Sequence, residues 1–376
     1  MKKQKSLFAL IFLLALASCR KSPTPVPEKQ QGIIPANPTA EPKGFYLLNE
    51  GNLGSNKASL DYMDYTTGVY TLNLYNQDNP SVTKGLGDVG NDVGVYGSKV
   101  YIVVNNSNKV EVIDKATGVH VGQVNIINCR NVAFSGNKAY VSAYLGTVGD
   151  PNAPNGIVAE IDTASLTITR KVTVGRQPEQ MAIVGQKLYV ANSGGYSPPN
   201  YERTVSVIGL DAFTVIKLID VDINLDRCIA DKYGKLYVTS RGDYYTQSSN
   251  LYVIDTNKDT VIKNFHLPAS NLWIDDNTAY IYATDFSYTT GKWTISYNMV
   301  DVGADTLLNR SFITDGTDKG IKVPYGIAVN PTTKEVLVTD AKDYVNPGTI
   351  YCFSPAGKKL WSTTTGDIPG HFAFVY

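Results

Sequence analysis

The chain has few of the residues that metal and acid–base chemistry use most, with three histidines and four cysteines in 376 residues. No Cys-x-x-Cys pair occurs, so the sequence supports neither a zinc site nor a dithiol redox site. Gly-x-Ser-x-Gly, P-loop and His-Glu-x-x-His motifs are absent as well. We therefore predict a protein that is not an enzyme, with no catalytic residue, metal site or cofactor. A hydrolase or lyase that uses scattered loop carboxylates stays open as an alternative.

Long apolar runs and a basic charge excess are also lacking. Beyond the N-terminus no stretch reaches the roughly 18 apolar residues of a membrane-spanning helix. The formal net charge is +0, and the first 43 residues hold seven Lys or Arg but two Asp or Glu, so the remainder is mildly acidic. Since nucleic-acid binding needs a basic patch, we predict no nucleic-acid partner.

The N-terminus resembles a secretion signal. Lys2, Lys3 and Lys5 precede the apolar segment 7–17, which is too short to span a bilayer, and Leu16-Ala17-Ser18-Cys19 follows. This pattern predicts a bacterial lipoprotein: the signal peptide 1–18 is removed, and Cys19 then carries acyl chains such as palmitate. The protein would contact the membrane through that anchor. An ordinary signal peptide with a coincidental cysteine is the alternative.

Residues 19–43 are rich in proline, which favours an extended spacer. The prolines are Pro23, Pro25, Pro27, Pro35, Pro38 and Pro42. We place the folded domain at 44–376. Its cysteines, Cys129, Cys228 and Cys352, are odd in number, so they cannot all pair with one another. We predict buried, reduced thiols, while a Cys129–Cys228 disulfide remains open.

One unit recurs along the domain: an apolar strand, a short turn, a strand with a central tyrosine, a long loop, and a third strand that ends in Asp. The anchor tyrosines are Tyr101, Tyr140, Tyr189, Tyr237 and Tyr280, spaced by 39, 49, 48 and 43 residues. Two weaker copies, 45–48 and 335–338, bring the number to seven. Such repeats of alternating strands predict an all-β fold, a seven-bladed β-propeller.

Both chain ends fit a closed ring. The first copy lacks an innermost strand, and the chain ends on a single apolar strand at 372–376. We predict that this C-terminal strand completes the first blade and removes an open sheet edge. Because the sixth copy is irregular, rings of six or eight blades remain alternatives.

The repeat also predicts which face binds. Turns between first and second strands are short, whereas loops between second and third strands are long and rich in tyrosine. Counting ten residues back from the anchor tyrosines reaches Asn91, Arg130, Glu179 and Arg227, which should surround the mouth of the central channel. The arginines could hold anionic or amide oxygens, or could pair with Glu179. The full candidate ligand-binding set is Asn49, Asn91, Asn105, Arg130, Tyr144, Glu179, Asn192, Tyr196, Tyr201, Arg227, Arg241, Tyr244, Asp285, Asp340, Tyr344 and His371.

Several segments resemble known propeller families. The segments 188–192 and 236–240 look like the YVTN repeat of YncE-like propellers. The segments 48–52 and 58–62 near the start and the closing segments 329–331, 338–344, 353–358 and 368–372 resemble surface-layer-type propeller lipoproteins of Gram-negative bacteria.

This resemblance implies a seven-bladed propeller lipoprotein of the outer membrane. Some members capture cobalamin at the cell surface and pass it to a TonB-dependent transporter. The expected function is therefore ligand capture for transport, with cobalamin, another corrinoid or a further large polar molecule as ligand. A protein- or glycan-binding scaffold of the cell envelope is the alternative. We expect the cell-surface side, but Arg20 and Lys21 follow Cys19 where exported lipoproteins often have acidic residues, so a periplasm-facing anchor stays open.

Overall fold

The computed structural model of the chain describes residues 29–147, 150, 152–287 and 291–376. The predicted signal peptide 1–18 and the predicted lipidation site Cys19 lie outside these residues. Within the described part, no helix is long and apolar enough to cross a membrane.

The described strands form seven small antiparallel sheets arranged as blades. Blade 1 consists of β1 (Gln30–Gly32), β2 (Gly44–Asn49), β3 (Ser59–Asp64), β4 (Val69–Thr71) and the last strand of the chain, β29 (Pro369–Val375). Blade 2 consists of β5 (Gly90–Tyr96), β6 (Lys99–Val104), β7 (Lys109–Asp114) and β8 (His120–Asn125). Blade 3 consists of β9 (Cys129–Ser135), β10 (Lys138–Ala143), β11 (Ile157–Asp162) and β12 (Thr167–Thr173). Blade 4 consists of β13 (Pro178–Val184), β14 (Lys187–Asn192), β15 (Thr204–Gly209) and β16 (Thr214–Asp220).

The remaining three blades repeat this order. Blade 5 consists of β17 (Leu225–Ala230), β18 (Lys235–Ser240), β19 (Asn250–Asp255) and β20 (Thr260–Asn264). Blade 6 consists of β21 (Asn271–Asp275), β22 (Thr278–Ser287), β23 (Lys292–Asp301) and β24 (Thr306–Leu308). Blade 7 consists of β25 (Pro324–Val329), β26 (Val336–Asp340), β27 (Pro347–Phe353) and β28 (Lys359–Asp367). A short helix α1 (Leu74–Asp78) and a 3-10 helix (Thr317–Gly320) lie in connections.

The first strands of neighbouring blades contact one another around the whole ring, with β29 in that position for blade 1. In blades 2 to 5 the second and third strands are buried on both faces along most of their length, as in β6, where five of six residues are buried. This explains why their sequences are continuous apolar runs instead of a strict alternation. The all-β, seven-bladed propeller predicted from the repeats is confirmed.

The C-terminal strand closes the ring as predicted. β29 pairs antiparallel with β2, with Leu47 opposite Phe372. The Phe45 ring packs edge-on against that of Phe372, with 5.5 Å between ring centroids. Backbones approach closely here, because a Cβ atom on Gly326 would lie 2.8 Å from the Gly370 carbonyl oxygen. A glycine therefore lets blade 7 meet the closing strand.

The described part of the proline-rich segment lies against the propeller. β1 pairs with β4, with Gln30 opposite Thr71, and adds a fifth, outermost strand to blade 1. Ile33, Ile34 and Ala40 then pack against the buried cluster between blades 7 and 1. At least residues 29–43 of the expected spacer are thus packed on the body.

Candidate ligand-binding face

The long loops between second and third strands lie on one face of the disc, together with the starts of the inner strands. In blade 6 this connection differs from expectation. The sequence predicts a long loop between the second and third strands of each blade, but here Phe286 pairs with Trp293 in an extended hairpin of β22 and β23. These strands have ten residues each, against six in most second strands, so the hairpin projects beyond its neighbours.

Glu179 is the centre of a buried ionic network on this face. Its carboxylate oxygen Oε2 accepts hydrogen bonds from Arg130 Nε at 3.1 Å and Nη2 at 2.9 Å. Oε1 accepts from the Tyr144 hydroxyl at 2.5 Å and from Arg241 Nη1 at 3.1 Å. Arg130 also donates to Asn91 Oδ1 at 2.6 Å. Five predicted residues, Asn91, Arg130, Tyr144, Glu179 and Arg241, therefore come together, and Arg130 pairs with Glu179.

The charges in this network determine the ionisation of Glu179. Burial alone would raise its pKa, because the side chain is only 1% exposed. The positive charges of Arg130 and Arg241 outweigh that effect and lower the pKa to about 2. Glu179 is therefore a carboxylate at neutral pH.

A second carboxylate, Asp226, was not in the predicted set. It accepts a hydrogen bond from Arg241 Nη2 at 2.8 Å, and its other oxygen lies 3.6 Å from Arg227 Nε. Asp226 directly precedes Arg227 at the start of β17, so the count from the anchor tyrosine pointed to its neighbour. The two acids and three arginines form one continuous cluster.

The opposite side of the channel mouth is acidic. Glu50 accepts a hydrogen bond from the Tyr325 hydroxyl at 2.9 Å, and His371 Nε2 lies 2.9 Å from its other oxygen. The second ring nitrogen of His371 lies 4.0 Å from Asp92. His371, a member of the candidate ligand-binding set, thus contacts Glu50, and this chain of contacts joins blades 7, 1 and 2.

A cavity of about 990 Å³ opens beside the network, above blades 5 to 7. Seven aromatic side chains line it. The loop residues are Tyr244, Tyr245 and Tyr344, the hairpin residues are Phe286 and Trp293, and the residues near the axis are Tyr282 and Tyr325. Its charged lining consists of Asp226, Arg227, Arg241 and Asp285. Five predicted residues, Arg227, Arg241, Tyr244, Asp285 and Tyr344, therefore line one cavity.

Two of the cavity tyrosines lie in turns of the same kind, each stabilised by the aspartate that precedes the tyrosine. Tyr244 and Tyr344 each follow an aspartate and have left-handed backbones, with φ of 65° and 64°. Asp243 accepts hydrogen bonds from the backbone N–H groups of the three residues after Tyr244, each at 2.8 Å. Asp343 accepts in the same way from two N–H groups after Tyr344. Aromatic residues rarely adopt this backbone conformation, so these turns fix ring positions that an ordinary loop would not.

The hydrogen bonds to these turn aspartates also affect their ionisation. For Asp343, backbone N–H donation from Asn346 is the main effect, and it lowers the pKa of the carboxyl to about 2. For Asp243, slight desolvation is outweighed by N–H donors, which again lower the pKa to about 2. Both turns are therefore held by ionised carboxylates at neutral pH.

Other predicted residues lie away from the cavity. Tyr196 is 48% exposed and packs edge-on near Tyr144, at 6.4 Å between centroids. Tyr201 is partly buried. Four strand-end residues are buried within or between blades, where they hydrogen-bond to the protein: Asn49, Asn105, Asn192 and Asp340. Within residues 29–147, 150, 152–287 and 291–376, no group of His, Cys, Asp or Glu is placed to hold a metal ion.

Residues 43–365 match the model of a family described as a domain of unknown function, DUF5074. The chain belongs to this family. No curated protein matches the chain. Among solved structures, it is similar to a hypothetical selenium-binding protein from Sulfolobus tokodaii, with 9% identity over 88% of this chain and 93% of that one, and a TM-score of 0.64.

Two other solved structures share the fold. A quinonprotein alcohol dehydrogenase-like protein from Bacteroides thetaiotaomicron has 16% identity over 88% of this chain and 78% of that one, with a TM-score of 0.59. Hydrazine synthase from Kuenenia stuttgartiensis has 14% identity over 75% of this chain and 88% of that one, with a TM-score of 0.58. At these identities the likeness shows the propeller fold alone.

Proposed function

We propose that this protein is a lipid-anchored, non-enzymatic propeller that captures a large polar molecule in the cavity above blades 5 to 7. The observation that carries the proposal is the cavity itself, about 990 Å³ and lined by aromatic and charged side chains. Binding sites for small molecules have volumes of roughly 300–1,000 Å³ and combine apolar walls with a few polar groups. This cavity is at the large end of that range.

The leading candidate ligand is cobalamin or a related corrinoid. A corrinoid presents a broad ring with amide groups around its edge. The tyrosine and tryptophan faces would contact the ring, because aromatic side chains combine a flat apolar surface with a polar handle. Arg227 and Arg241 would donate to amide oxygens, and Asp285 would accept from amide N–H groups. The resemblance of the closing segments to a family with cobalamin-capturing members also supports a corrinoid ligand.

The proposed cellular role follows from the anchor. Acyl chains on Cys19 would hold the disc at the outer membrane, on the cell surface in our leading proposal. There it would pass its ligand to a TonB-dependent transporter. Protease added to intact cells tests this location. Cleavage of the lipoprotein would support the cell surface, whereas protection until the outer membrane is permeabilised would indicate the periplasmic side.

Calorimetric titration of the full-length protein in detergent with cyanocobalamin tests the ligand. We expect binding at micromolar concentration or tighter. A Tyr244→Ala, Trp293→Ala double variant should bind at least about tenfold more weakly, because each buried aromatic contact contributes roughly 1–3 kcal/mol. Tyr233→Ala is the matched control, since Tyr233 is also an exposed tyrosine but bonds to Asn277 at the short-turn face. The absence of binding to the unaltered protein would exclude the corrinoid.

A glycan is the second candidate, favoured by the exposure of the cavity rim. Trp293 is 53% exposed and Tyr244 is 47% exposed, and exposed aromatic faces suit stacking against sugar rings. A glycan array with the same variants separates the two ligands. A signal that disappears in the double variant, together with no corrinoid binding, would assign the cavity to glycans.

A further inference from the structure

The ionic cluster beside the cavity carries more positive than negative charge. Arg130, Arg241 and Arg227 face two carboxylates, Glu179 and Asp226. Glu179 uses both oxygens for Arg130 and Arg241. Asp226 gives one oxygen to Arg241 at 2.8 Å. Three guanidinium groups thus share two carboxylates. Arg227 is the one whose distance to the nearest carboxylate oxygen is longest, at 3.6 Å.

Arg227 is the least satisfied of the three arginines. Its side chain is 16% exposed, and the closest carboxylate oxygen, on Asp226, lies 3.6 Å from Nε, beyond hydrogen-bond distance. Nε is buried and has no hydrogen-bond partner in the described part of the chain. Removing a guanidinium from water without hydrogen bonds to replace those of water is unfavourable, so this site favours an external acceptor.

The neighbouring hydroxyl groups are already used by the protein. The Tyr282 hydroxyl donates to the Tyr325 carbonyl oxygen, and the Tyr325 hydroxyl donates to Glu50. Asp285, the other carboxyl group in the cavity, forms no ion pair with any described residue and accepts a hydrogen bond from Ser249 at 3.2 Å. Burial raises the pKa of the Asp285 carboxyl group. None of these groups neutralises Arg227.

Arg227 is also held on a rigid element. It lies in β17, the inner strand of blade 5, and its backbone N–H donates to Thr239 Oγ1 at 3.0 Å. Its side chain lines the cavity described above. A planar fork of donors that lines a cavity matches the two oxygens of a phosphate or carboxylate group.

We propose that Arg227 is an oxyanion-binding subsite, which holds a phosphate or carboxylate group of the ligand in the cavity. This inference rests on the proposed function, because it takes the same cavity as the binding site. It adds that the ligand bears an anionic group next to an apolar, flat portion. The subsite can be tested without the ligand, since inorganic phosphate and acetate carry the same chemistry.

The test is a titration of the full-length protein in detergent with sodium phosphate and, separately, sodium acetate, at ionic strength held constant with sodium chloride. Tryptophan fluorescence, to which Trp293 in the cavity contributes, and the melting temperature report binding. We expect a saturable rise in melting temperature with at least one oxyanion, and its identity tells phosphate from carboxylate. Arg227→Gln should weaken binding about tenfold or more, as expected for loss of a charge-assisted hydrogen bond.

Two further variants keep the result interpretable. Arg227→Lys retains the charge but loses the planar fork, so it should fold and bind with intermediate affinity. Arg203→Gln is the matched control, because Arg203 pairs with Asp220 at the exposed outer edge, and its affinity should equal that of the unaltered protein. Unchanged binding in Arg227→Gln, or no binding of either oxyanion to the unaltered protein, would overturn the subsite.

The two proposals fail separately. Phosphate or acetate binding through Arg227 without cyanocobalamin binding would keep the subsite and reject the corrinoid. Cyanocobalamin binding without any oxyanion binding would keep the corrinoid and reject the subsite.

Discussion

Glu179 shows how single residues maintain the binding face. A lone carboxylate as buried as this one would be strongly unfavourable, and its hydrogen bonds to Arg130, Arg241 and Tyr144 compensate. The same contacts fix the side chains around the channel mouth. The network thus connects the stability of the fold to the shape of the site.

Replacing Glu179 with glutamine should destabilise the protein by about 3–5 kcal/mol, because the partly buried Arg130 loses its counter-charge and Arg241 keeps only that of Asp226. Urea unfolding of the full-length protein measures the change. Asp220→Asn provides the control, since the Arg203–Asp220 pair is exposed and should contribute about 1 kcal/mol or less. Equal effects of the two substitutions would contradict the role assigned to Glu179.

The lowered pKa of Glu179 also predicts a pH dependence. An unfolded glutamate binds its proton near pH 4.3, whereas folded Glu179 has a pKa of about 2. Its contribution to stability is therefore full above about pH 4.5 and is lost as the pH falls towards 2. The free energy of unfolding, measured at a series of pH values from 6 to 2, should fall less steeply for Glu179→Gln than for the unaltered protein. Parallel curves would show that Glu179 is not the titrating group.

The three cysteines of the body are buried and unpaired, in agreement with the predicted reduced thiols. Burial raises the pKa of Cys129 and of Cys228 to about 12 in each case, and it also raises that of Cys352. Since the thiolate is the reactive form, we expect no reaction with Ellman's reagent at pH 8 in the native protein and reaction at all three positions in guanidinium chloride. Peptide mapping would identify the sites, and rapid native labelling at any of them would contradict this burial.

Only part of the site could be predicted from the sequence. The ten-residue count found Asn91, Arg130 and Glu179 because the anchor tyrosine pairs with the residue seven positions before it in blades 2 to 4. In blade 5, Tyr237 pairs with Ile229, eight positions before it, so the count reached Arg227 and not Asp226. It missed Tyr325 because the turn before β26 in blade 7 is longer. Trp293 could not be found either, since its place depends on how far the β22–β23 hairpin extends beyond the disc.

Strand-end asparagines show the opposite limit. Asn105 and Asn192 resemble ligand-binding residues in the sequence because they end a strand and begin a long loop. In the structure both are buried, and their amides bond to groups of the protein, such as the Cys129 carbonyl oxygen and the Ser206 hydroxyl. A polar residue at the end of a strand can bind a ligand at the loop face or form hydrogen bonds within the propeller, and only the contacts in the structure distinguish these roles.

At the scale of elements, the recurring Lys-x-Tyr of the second strands links neighbouring blades. Tyr237 in blade 5 donates to Asp305 Oδ1 in the outer turn of blade 6 at 2.5 Å, and Lys235 reaches the same oxygen at 2.6 Å. Tyr189 and Lys187 bind Asp259 of blade 5 in the same manner, both at 2.7 Å. The tyrosine that marks the repeat in sequence is thus a contact between blades.

This contact is incomplete at blade 2. Tyr101 occupies the equivalent position, but the matching left-handed position in the outer turn of blade 3 is Leu166 and not an aspartate. The Tyr101 hydroxyl is buried and has no hydrogen-bond partner in the described residues. The repeat alone could not show this difference, because the partner lies in another blade.

The two tyrosines give a matched pair of substitutions. Tyr237→Phe should lower the free energy of unfolding by about 1–3 kcal/mol, because it removes a hydrogen bond to a carboxylate. Tyr101→Phe should leave stability unchanged within about 0.5 kcal/mol or raise it, because the lost hydroxyl has no partner. Thermal unfolding of both variants measures the difference. A similar loss in both would mean that the hydroxyl at blade 2 is satisfied in solution.

At the scale of the whole molecule, the ring is held by one strand from the far end of the chain. The sequence predicted this closure because 372–376 is an apolar strand without a partner of its own, and because the first copy lacks an inner strand. The sequence did not reveal that residues 29–43 also return to blade 1. That contact depends on the pairing of β1 with β4, and Gln30–Gly32 lacks an apolar alternation that would mark a strand.

The two strands at the edges of blade 1 should therefore differ greatly in their contribution to stability. Deleting 369–376 removes the inner strand, exposes the edge of β2 and leaves the partners of Phe372 and Val375 open to water. Each such side chain contributes roughly 1.5–3 kcal/mol on burial, so we expect the melting temperature to fall by about 10 °C or more. Deleting 30–32 removes an outer strand that is mostly exposed, and we expect a fall of a few degrees at most. Calorimetry of both truncated proteins in detergent compares them directly. If the outer deletion were the more damaging, stability would depend on the return of the N-terminal segment more than on closure of the ring by β29.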